Sequence, residues 1–341
     1  MSWTAAELLG AEIPEPRWAI DGLLPEGLAF MCGAPKLGKS WLALGLGIAV
    51  AAGGRALGTI PVEQGDALYL ALEDNARRLQ GRLRLLLSGS PAPEGLHLEL
   101  EWPRLGAGGG EKLIDWLAGH PETRIVIVDV YPRVRPRSND RGNHYQEDYE
   151  AASALQGIAV SRGVAIVAIY HTRKAEATDF VETVQGTFGT AAAADTIMVV
   201  KRARGDADAT LQVTGRDVTE QEAALQFSPE AGTWALLGDA AEYTLGKTRK
   251  EILDVIRAHG ALTPKQVSEL SNIEYELAKK TMQRMFGDGQ LDAAKGKYSL
   301  SAPVPDVPLS LLTGESGTER QEGHGVIEDR MAWLDTLEAF Q

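Results

Sequence analysis

The chain has 341 residues, a net charge of −13 and one cysteine, Cys32. This length is enough for two domains. The single cysteine excludes an internal disulfide framework and is typical of a reducing compartment. The negative net charge argues against a protein that binds nucleic acid non-specifically over its whole surface. Because the longest apolar stretch, residues 41–52, is far shorter than the roughly 20 residues of a membrane span, and no signal-peptide pattern begins the chain, we expect a cytoplasmic protein without a membrane partner.

The first 245 residues alternate short apolar runs with helical patterns. Residues 1–28 predict a lead-in that contains a short helix. Buried strands are predicted at 28–32, 65–74, 96–100, 124–130 and 164–172, and helices at 40–52, 75–87, 111–120 and 151–163. Such alternation predicts a mainly parallel sheet with helices on both faces. The polar segment 132–150 is predicted to be a loop, and the short apolar runs after residue 195 predict antiparallel edge strands.

The segment GAPKLGKS, Gly33–Ser40, follows the first buried strand and precedes a helix. It meets the G-x-x-x-x-G-K-S spacing in full, in the structural context that this motif requires. Backbone N–H groups of such a loop bind phosphate, the lysine reaches the β- and γ-phosphates, and the serine hydroxyl holds Mg²⁺. We therefore predict ATP and Mg²⁺ as cofactors. The predicted nucleotide-binding residues are Gly33, Ala34, Pro35, Lys36, Leu37, Gly38, Lys39, Ser40 and Trp41.

Three predicted strand ends carry polar side chains that suit phosphate chemistry. Asp129 ends an apolar strand at the sheet edge where ligands bind, and it is predicted to hold Mg²⁺ through water, together with Ser40. Glu73 is predicted to polarise the attacking water and Asp74 to cap the next helix, with the reverse order also open. His171 is predicted to contact the γ-phosphate. The alternative for Asp129 and His171 is a structural or solvated role.

Six segments resemble a known family in their order and spacing. They are GAPKLGKS, LYLALEDNARRLQGRL, IVIVDVYPRVRP, YHTRKA, GTFGTAAAADT and LQVTGRDV. Together, over about residues 3–240, they resemble the RepA-like branch of RecA-type P-loop ATPases, which are often plasmid- or phage-encoded replicative helicases. The resemblance implies that Glu73 is the catalytic base, Asp129 the Walker B residue and His171 the phosphate sensor.

The resemblance also implies a homo-oligomer, specifically a hexameric ring, in which an arginine from a neighbouring subunit completes each site. The candidates are Lys201, Arg202, Arg204 and Arg216, of which Arg202 and Arg216 are preferred. Single-stranded DNA would pass through the ring channel, where the loops 132–150 and 173–187 would reach it.

Residues 246–301 predict a separate small domain of three helices and two strands, which resembles a winged helix. It carries ten Lys/Arg against seven Asp/Glu over residues 246–300. Five basic residues could contact the phosphates of duplex DNA, with protein contacts as the alternative: Lys279, Lys280, Arg284, Lys295 and Lys297. Residues 302–324 predict a linker. Residues 325–341 predict an acidic amphipathic helix that either competes with DNA or docks onto a subunit or partner.

The sequence therefore predicts an α/β fold of RecA type over residues 29–245, with a mainly parallel sheet, antiparallel edge strands and a small winged-helix domain. The predicted function is an ATP-hydrolysing motor on DNA of the RepA-like replicative helicase type. The alternative is an ATP-switched DNA-binding regulator or partition-type adaptor with slow turnover. DNA-stimulated ATP hydrolysis with strand displacement distinguishes them. A small-molecule kinase is a third reading, but no acceptor-site signature supports it.

Overall fold

The computed structural model describes residues 2–136, 144–171, 190–202, 208–271 and 273–301. The chain forms two compact units, Met1–Glu251 and Ile252–Gln341. The division falls slightly after the predicted boundary at residue 245. No helix within the described ranges combines the length and apolar character that a bilayer crossing needs.

A nine-stranded sheet lies at the centre of the first unit. The strands of this unit are β1 (Trp18–Ile20), β2 (Leu24–Pro25), β3 (Gly27–Gly33), β4 (Arg55–Ala56), β5 (Ile60–Pro61), β6 (Asp66–Ala71), β7 (Leu96–Glu99), β8 (Thr123–Asp129), β9 (Ala165–His171), β10 (Thr196–Lys201), β11 (Asp208–Gly215), β12 (Gln221–Ser228) and β13 (Thr233–Asp239). The large sheet has the order β13-β12-β11-β10-β3-β9-β8-β6-β7. From β10 to β7 the neighbours pair in parallel, and β11, β12 and β13 add antiparallel strands at one edge. The predicted mixed sheet is confirmed, except that β10 belongs to the parallel part.

Helices cover both faces of this sheet, with α2 on one face and α4 and α6 on the other. The helices that begin in this unit are α1 (Ala5–Gly10), α2 (Lys39–Ala52), α3 (Ala76–Leu87), α4 (Gly109–Gly119), α5 (Tyr131–Val134), α6 (His144–Arg162), α7 (Thr190–Ala193) and α8 (Ala240–His259), with a short 3₁₀ turn at Leu105–Ala107. Strand residues alternate between two hydrophobic cores. In β8, Ile127 joins the core that contains α2, whereas Val126 and Val128 join the core that contains α4 and α6. A strand that is buried on both faces reads as a continuous apolar run, which is why these strands were predictable.

The predicted loop at 132–150 is wrong in part, because it contains helical residues at both ends. The helix α5 occupies Tyr131–Val134, and α6 begins at His144 rather than at residue 151. The first turns of α6 are polar, but Asp148 is buried and accepts hydrogen bonds of 2.6 and 2.9 Å from Arg135. An ion pair supplied by another element thus lets a polar segment pack as a helix, which hydrophobic periodicity does not reveal.

The second unit has a small core of its own. It contains the end of α8, then α9 (Pro264–Leu270), α10 (Tyr275–Gly287), β14 (Leu291–Ala294) and β15 (Lys297–Leu300). Apart from Ala278, its most deeply buried members are Ile252, Ile256, Val267, Met282, Met285 and Leu291. Leu262 and Tyr298 exchange backbone hydrogen bonds of 3.0 and 2.8 Å, which ties the α8–α9 connection to the hairpin.

This unit has the predicted order of three helices and a hairpin, although its first helix begins at Ala240. As predicted, Thr263 caps a helix whose first residue is Pro264. Lys295 and Gly296 form the two-residue turn with φ of +51° and +77°, as hairpins of this type require. Its assignment as a winged helix stays a prediction, and residues 302–324 and 325–341 lie outside the described part of the chain.

Asp195 connects three elements at the start of the parallel strands. Its carboxylate, which is 10% exposed, accepts hydrogen bonds from Leu28 N–H at 2.9 Å, from Arg216 at 2.9 Å and from Gln156 at 3.3 Å. Gly27 has a φ of +113°, and a Cβ there would lie 2.6 Å from the carboxylate. The close approach of β3 to Asp195 therefore depends on glycine at position 27.

We expect Asp195→Ala to lower the free energy of unfolding by about 2–4 kcal/mol, because it leaves a buried N–H group without an acceptor. Arg216→Ala is the control and should cost less than about 1 kcal/mol, because this side chain is 60% exposed and solvent screens its ion pair. Urea unfolding followed by tryptophan fluorescence measures both. Equal costs for the two substitutions would contradict this account.

Candidate nucleotide-binding site

The loop between β3 and α2 has the backbone shape of a phosphate cradle. Lys36 and Gly38 have φ of +66° and +96°, and a Cβ on Gly33 would lie 2.6 Å from the Val200 carbonyl oxygen. Gly38 is the N-cap of α2 and makes no side-chain capping hydrogen bond. Glycine has no side chain that could cap the first N–H groups of α2. N–H groups at the start of a helix bind phosphate oxygens readily when no side chain caps them.

Lys39 is the most confined charge of this site, because it is only 3% exposed. Its Nζ donates hydrogen bonds of 2.8 Å to the carbonyls of Gly33 and Ala34 and lies 3.1 Å from His171 Nδ1. Burial lowers the pKa of Lys39 to about 8, while Cys32 and Asp129 act in the opposite direction. The ammonium is therefore held inside the loop by its own backbone.

His171 lies beside the cradle because β9 pairs in parallel with β3 and places it opposite Gly33. Burial, followed by the Lys39 ammonium, lowers the pKa of His171 below its usual value. The imidazole is thus neutral at neutral pH. Because an ammonium can only donate, Nδ1 is the acceptor and Nε2 carries the proton.

Asp129, at the end of β8, is 6% exposed and accepts a 2.6 Å hydrogen bond from the Tyr69 hydroxyl. Tyr69 also lies 3.4 Å from the Ser40 carbonyl oxygen, so it contacts both residues that are predicted to hold the metal. Burial and the neighbouring Asp129 raise the pKa of Tyr69 well above its usual value, so the hydroxyl remains a donor. The sequence analysis missed Tyr69; its only signal was a hydroxyl within an apolar strand.

The oxygen donors of Ser40 and Asp129 suit Mg²⁺, which prefers oxygen ligands and keeps several waters. Both residues stand at the carboxyl end of the parallel strands, and Tyr69 links them. The residues present therefore fit the predicted cation.

Glu73 and Asp74, which follow β6, have different surroundings. The Glu73 side chain is 45% exposed, and Arg133 Nε donates to it at 3.3 Å. The Asp74 side chain is 7% exposed and pairs with Arg78 at 2.6 Å and with Arg82 at 2.9 Å. Glu73 is thus the carboxylate that water can approach, whereas both neighbours of Asp74 are cations.

The prediction that Asp74 caps α3 is wrong. Asn75 is the N-cap, and its side chain accepts a 3.0 Å hydrogen bond from the Arg78 N–H. Asp74 instead receives the Asn75 N–H at 2.9 Å. Asparagine and aspartate are both good N-caps, so their order alone could not identify the cap.

A cavity of about 300 Å³ brings the cradle and His171 together, and neither Asp129 nor Glu73 is among its lining residues. Its lining consists of Lys36, Gly38, Lys39, Ser40, Trp41, Arg82, His171, Arg202 and Phe227. The antiparallel edge also supports the cradle, because Trp234 Nε1 donates a 3.2 Å hydrogen bond to the Gly38 carbonyl. The sequence analysis missed Arg82, Phe227 and Trp234, which carry no motif of their own.

The two preferred arginines lie at opposite ends of the sheet. Arg202 lines the cavity of its own chain, with its guanidinium 5.1 Å from the centre of the Phe227 ring. Arg216 lies beside Asp195, near the start of β3, whereas the cradle follows the end of β3. This placement favours a role in cis for Arg202. Lys201 is exposed at the end of β10, and Arg204 lies outside the described residues.

Comparison with known proteins bears on the family and the fold. The profile of the AAA domain family matches residues 1–177. No curated protein matches the chain. Among solved structures, one described as an ATPase domain has a TM-score of 0.50 and 13% identity over 62% of this chain and 85% of that chain.

Two further solved structures are similar. The structure of a DnaB-like replicative helicase and its interactions with primase has a TM-score of 0.50 and 13% identity over 67% of this chain and 66% of that chain. A KaiC-like protein from the hyperthermophilic archaeon Pyrococcus horikoshii has a TM-score of 0.43 and 11% identity over 64% of this chain and 93% of that chain. The two structures with a TM-score of 0.50 support the predicted RecA-type fold, which is confirmed.

We expect nucleotide affinity to fall as pH rises through about 8. In the nucleotide-free protein, the pKa of Lys39 is about 8. The negative charge of a bound triphosphate raises this pKa. Above pH 8, Lys39 must therefore take up a proton when the nucleotide binds. Linkage then gives a loss of up to roughly tenfold per pH unit. Titration calorimetry between pH 7 and 9.5 measures this, and Lys39→Arg, which does not titrate in this range, is the control. An equal pH dependence in both proteins would contradict the assignment.

Proposed function

We propose that this chain, which belongs to the AAA domain family, is an ATP-hydrolysing RecA-type motor that acts on DNA. The observation that carries the proposal is the buried Lys39 ammonium, held between the cradle carbonyls and His171. In the nucleotide-free protein, this buried cation donates hydrogen bonds to neutral backbone carbonyls. A triphosphate would offer it charged oxygens, which accept stronger hydrogen bonds. The fold, P-loop and strand-end carboxylates support the same conclusion.

In the proposed mechanism the N–H groups at the start of α2 bind the β-phosphate, and Lys39 moves its donors to the β- and γ-phosphates. Ser40 and Asp129 would hold Mg²⁺, which neutralises charge on the two phosphates when bound. Tyr69 fixes the Asp129 carboxylate through its 2.6 Å hydrogen bond. These residues orient the phosphate chain for in-line attack.

Glu73 is the proposed base, because its carboxylate is open to water and lies near enough to His171 for its charge to act on the imidazole. Its contact with Arg133 joins two half-exposed side chains, and such pairs break at little cost. His171 carries its proton on Nε2 and would donate it in a hydrogen bond to the γ-phosphate. The same imidazole contacts Lys39, so loss of the γ-phosphate changes the hydrogen bonding of both residues.

DNA is the proposed substrate, and the RepA-like replicative helicase type is the proposed class. One solved structure of similar fold is a DnaB-like replicative helicase. In the second unit, Lys280 and Arg284 are exposed on α10, and Lys295 and Lys297 are exposed at the hairpin. Cations placed in this way on a helix and a hairpin suit phosphate contacts with duplex DNA. Single-stranded DNA would pass through a ring of subunits.

We expect Glu73→Gln to keep ATP affinity and to lower turnover about 10²-fold or more, because it removes a general base. The wild-type ATPase rate should rise when single-stranded DNA is added. Steady-state phosphate release with and without DNA measures both effects, and Glu94→Gln, an exposed carboxylate, is the control. Near-normal turnover in Glu73→Gln would remove Glu73 from this role.

A strand-displacement assay separates the proposed motor from the alternative regulator. A motor unwinds a forked duplex in the presence of ATP. Nucleotide-dependent DNA binding without DNA-stimulated turnover would instead favour the regulator or partition-type adaptor.

Arg216 is the proposed arginine that completes a site in the neighbouring subunit. Its side chain is 60% exposed, and it lies at the opposite end of β3 from the cradle of its own chain. An arginine that acts in trans is worth about 10³–10⁵ in rate. Its pairing with Asp195 holds the guanidinium at that end of the sheet.

We expect Arg216→Ala and Lys39→Ala to be nearly inactive alone and partly active as a mixture, because the Lys39→Ala subunit still provides Arg216 to its neighbour. A mixture of Arg202→Ala and Lys39→Ala is the control and should stay inactive, because Arg202 lies in its own cavity. ATPase rates of premixed subunits measure this. No recovery in the first mixture, with assembly intact, would overturn the role in trans.

A further inference from the structure

We infer that Trp41 and Arg82 form the seat of the nucleotide base, and that this seat recognises the flat face of a purine rather than its edge. The inference rests on the proposed function, because it concerns the same nucleotide. It assigns GTP to the substrates alongside ATP.

The seat adjoins the phosphate cradle directly. Trp41 follows Ser40 in the chain, and both line the cavity that contains Lys39. The Arg82 guanidinium lies 5.5 Å from the centre of the Trp41 ring. Phosphates bound at Lys39 and Ser40 therefore leave the rest of the nucleotide beside a flat aromatic and guanidinium surface, and bases stack on both kinds of group.

Neighbouring groups hold the two parts of the seat in place. The Asp74 carboxylate lies 2.9 Å from the Arg82 guanidinium, and its charge balances that of the arginine. Behind Trp41, a Cβ on Gly232 would lie 2.4 Å from the indole ring. Phe227 contacts the same ring, with ring centres 6.5 Å apart. Trp41 is partly exposed and lines the cavity, so the packed indole is still accessible.

The chemistry of the lining explains why the edge of the base is not read. Among the described residues that line this cavity, no side chain is Asp, Glu, Asn or Gln. Adenine and guanine differ at their edges: an amide or carboxylate can match the N6 amine of adenine, and an arginine can bind O6 and N7 of guanine together. The two arginines of the lining are already engaged, Arg82 with Asp74 and Trp41, and Arg202 with Phe227 and Trp234. The seat therefore favours purines over pyrimidines by stacking area and does not separate adenine from guanine.

The test compares ligands with and without a base, in buffer containing Mg²⁺. We expect Trp41→Ala to weaken ATP and GTP about tenfold, the scale of one lost base–aromatic stack, and to leave inorganic tripolyphosphate unchanged. Trp41→Phe should recover most of the loss. Trp102→Ala, an indole that contacts Lys112 outside this cavity, is the matched control and should bind every ligand like wild type.

Each outcome bears on one proposal. Unchanged ATP affinity in Trp41→Ala would overturn the seat. Equal losses for ATP and tripolyphosphate would also overturn it, because they would indicate a damaged cradle. If wild type binds neither ATP nor tripolyphosphate, the proposed function fails instead.

The specificity is measured by competition among nucleoside triphosphates on wild type. We expect GTP within about threefold of ATP, and CTP and UTP to bind more weakly than both, because a pyrimidine offers less area for stacking. A preference of tenfold or more for ATP over GTP would overturn recognition by the face.

Discussion

The confinement of the Lys39 ammonium is the constraint on which the rest of the site depends. A charge that is 3% exposed has lost most of its hydration, which is costly unless hydrogen bonds replace the water. The cradle provides two carbonyls and His171 provides a ring nitrogen. The depressed pKa of Lys39, about 8, indicates that these partners replace water only in part. A bound triphosphate would provide charged oxygens in place of the hydration that Lys39 has lost. The burial that is costly in the nucleotide-free protein would therefore strengthen nucleotide binding.

The antiparallel edge of the sheet contributes as much to the site as the motif does. The AAA domain profile ends at residue 177, yet Phe227 and Trp234 come from the antiparallel edge beyond it, and Arg202 directly follows β10. Trp234 contacts the Gly38 carbonyl across 196 positions of sequence, and Phe227 contacts both Trp234 and Trp41. The edge strands thus contact both the cradle and Trp41, which follows it in the chain.

The two ends of β3 have separate tasks. At its start, Asp195 accepts hydrogen bonds from the Leu28 N–H and the Arg216 side chain, which ties the start of β10 and the end of β11 to β3. At its end, Gly33 leads into the cradle and lies beside His171. Because the Asp195 carboxylate anchors the start of β3, the cradle that follows the end of β3 is held in a fixed position. The hydrogen bonds of Lys39 to the cradle carbonyls require that position.

The sequence by itself determined the cradle, the parallel strands and the carboxylates at their ends, because these features follow from spacing and periodicity along neighbouring residues. The G-x-x-x-x-G-K-S spacing and the apolar runs needed no knowledge of distant contacts. Only the tertiary structure decided that Tyr69 binds Asp129, that Arg202 shares the cavity of its own chain, and that the ion pair of Asp148 lets α6 begin at His144. Each of these depends on which strands or helices become neighbours, and hydrophobic alternation buries a strand without specifying what lies beside it.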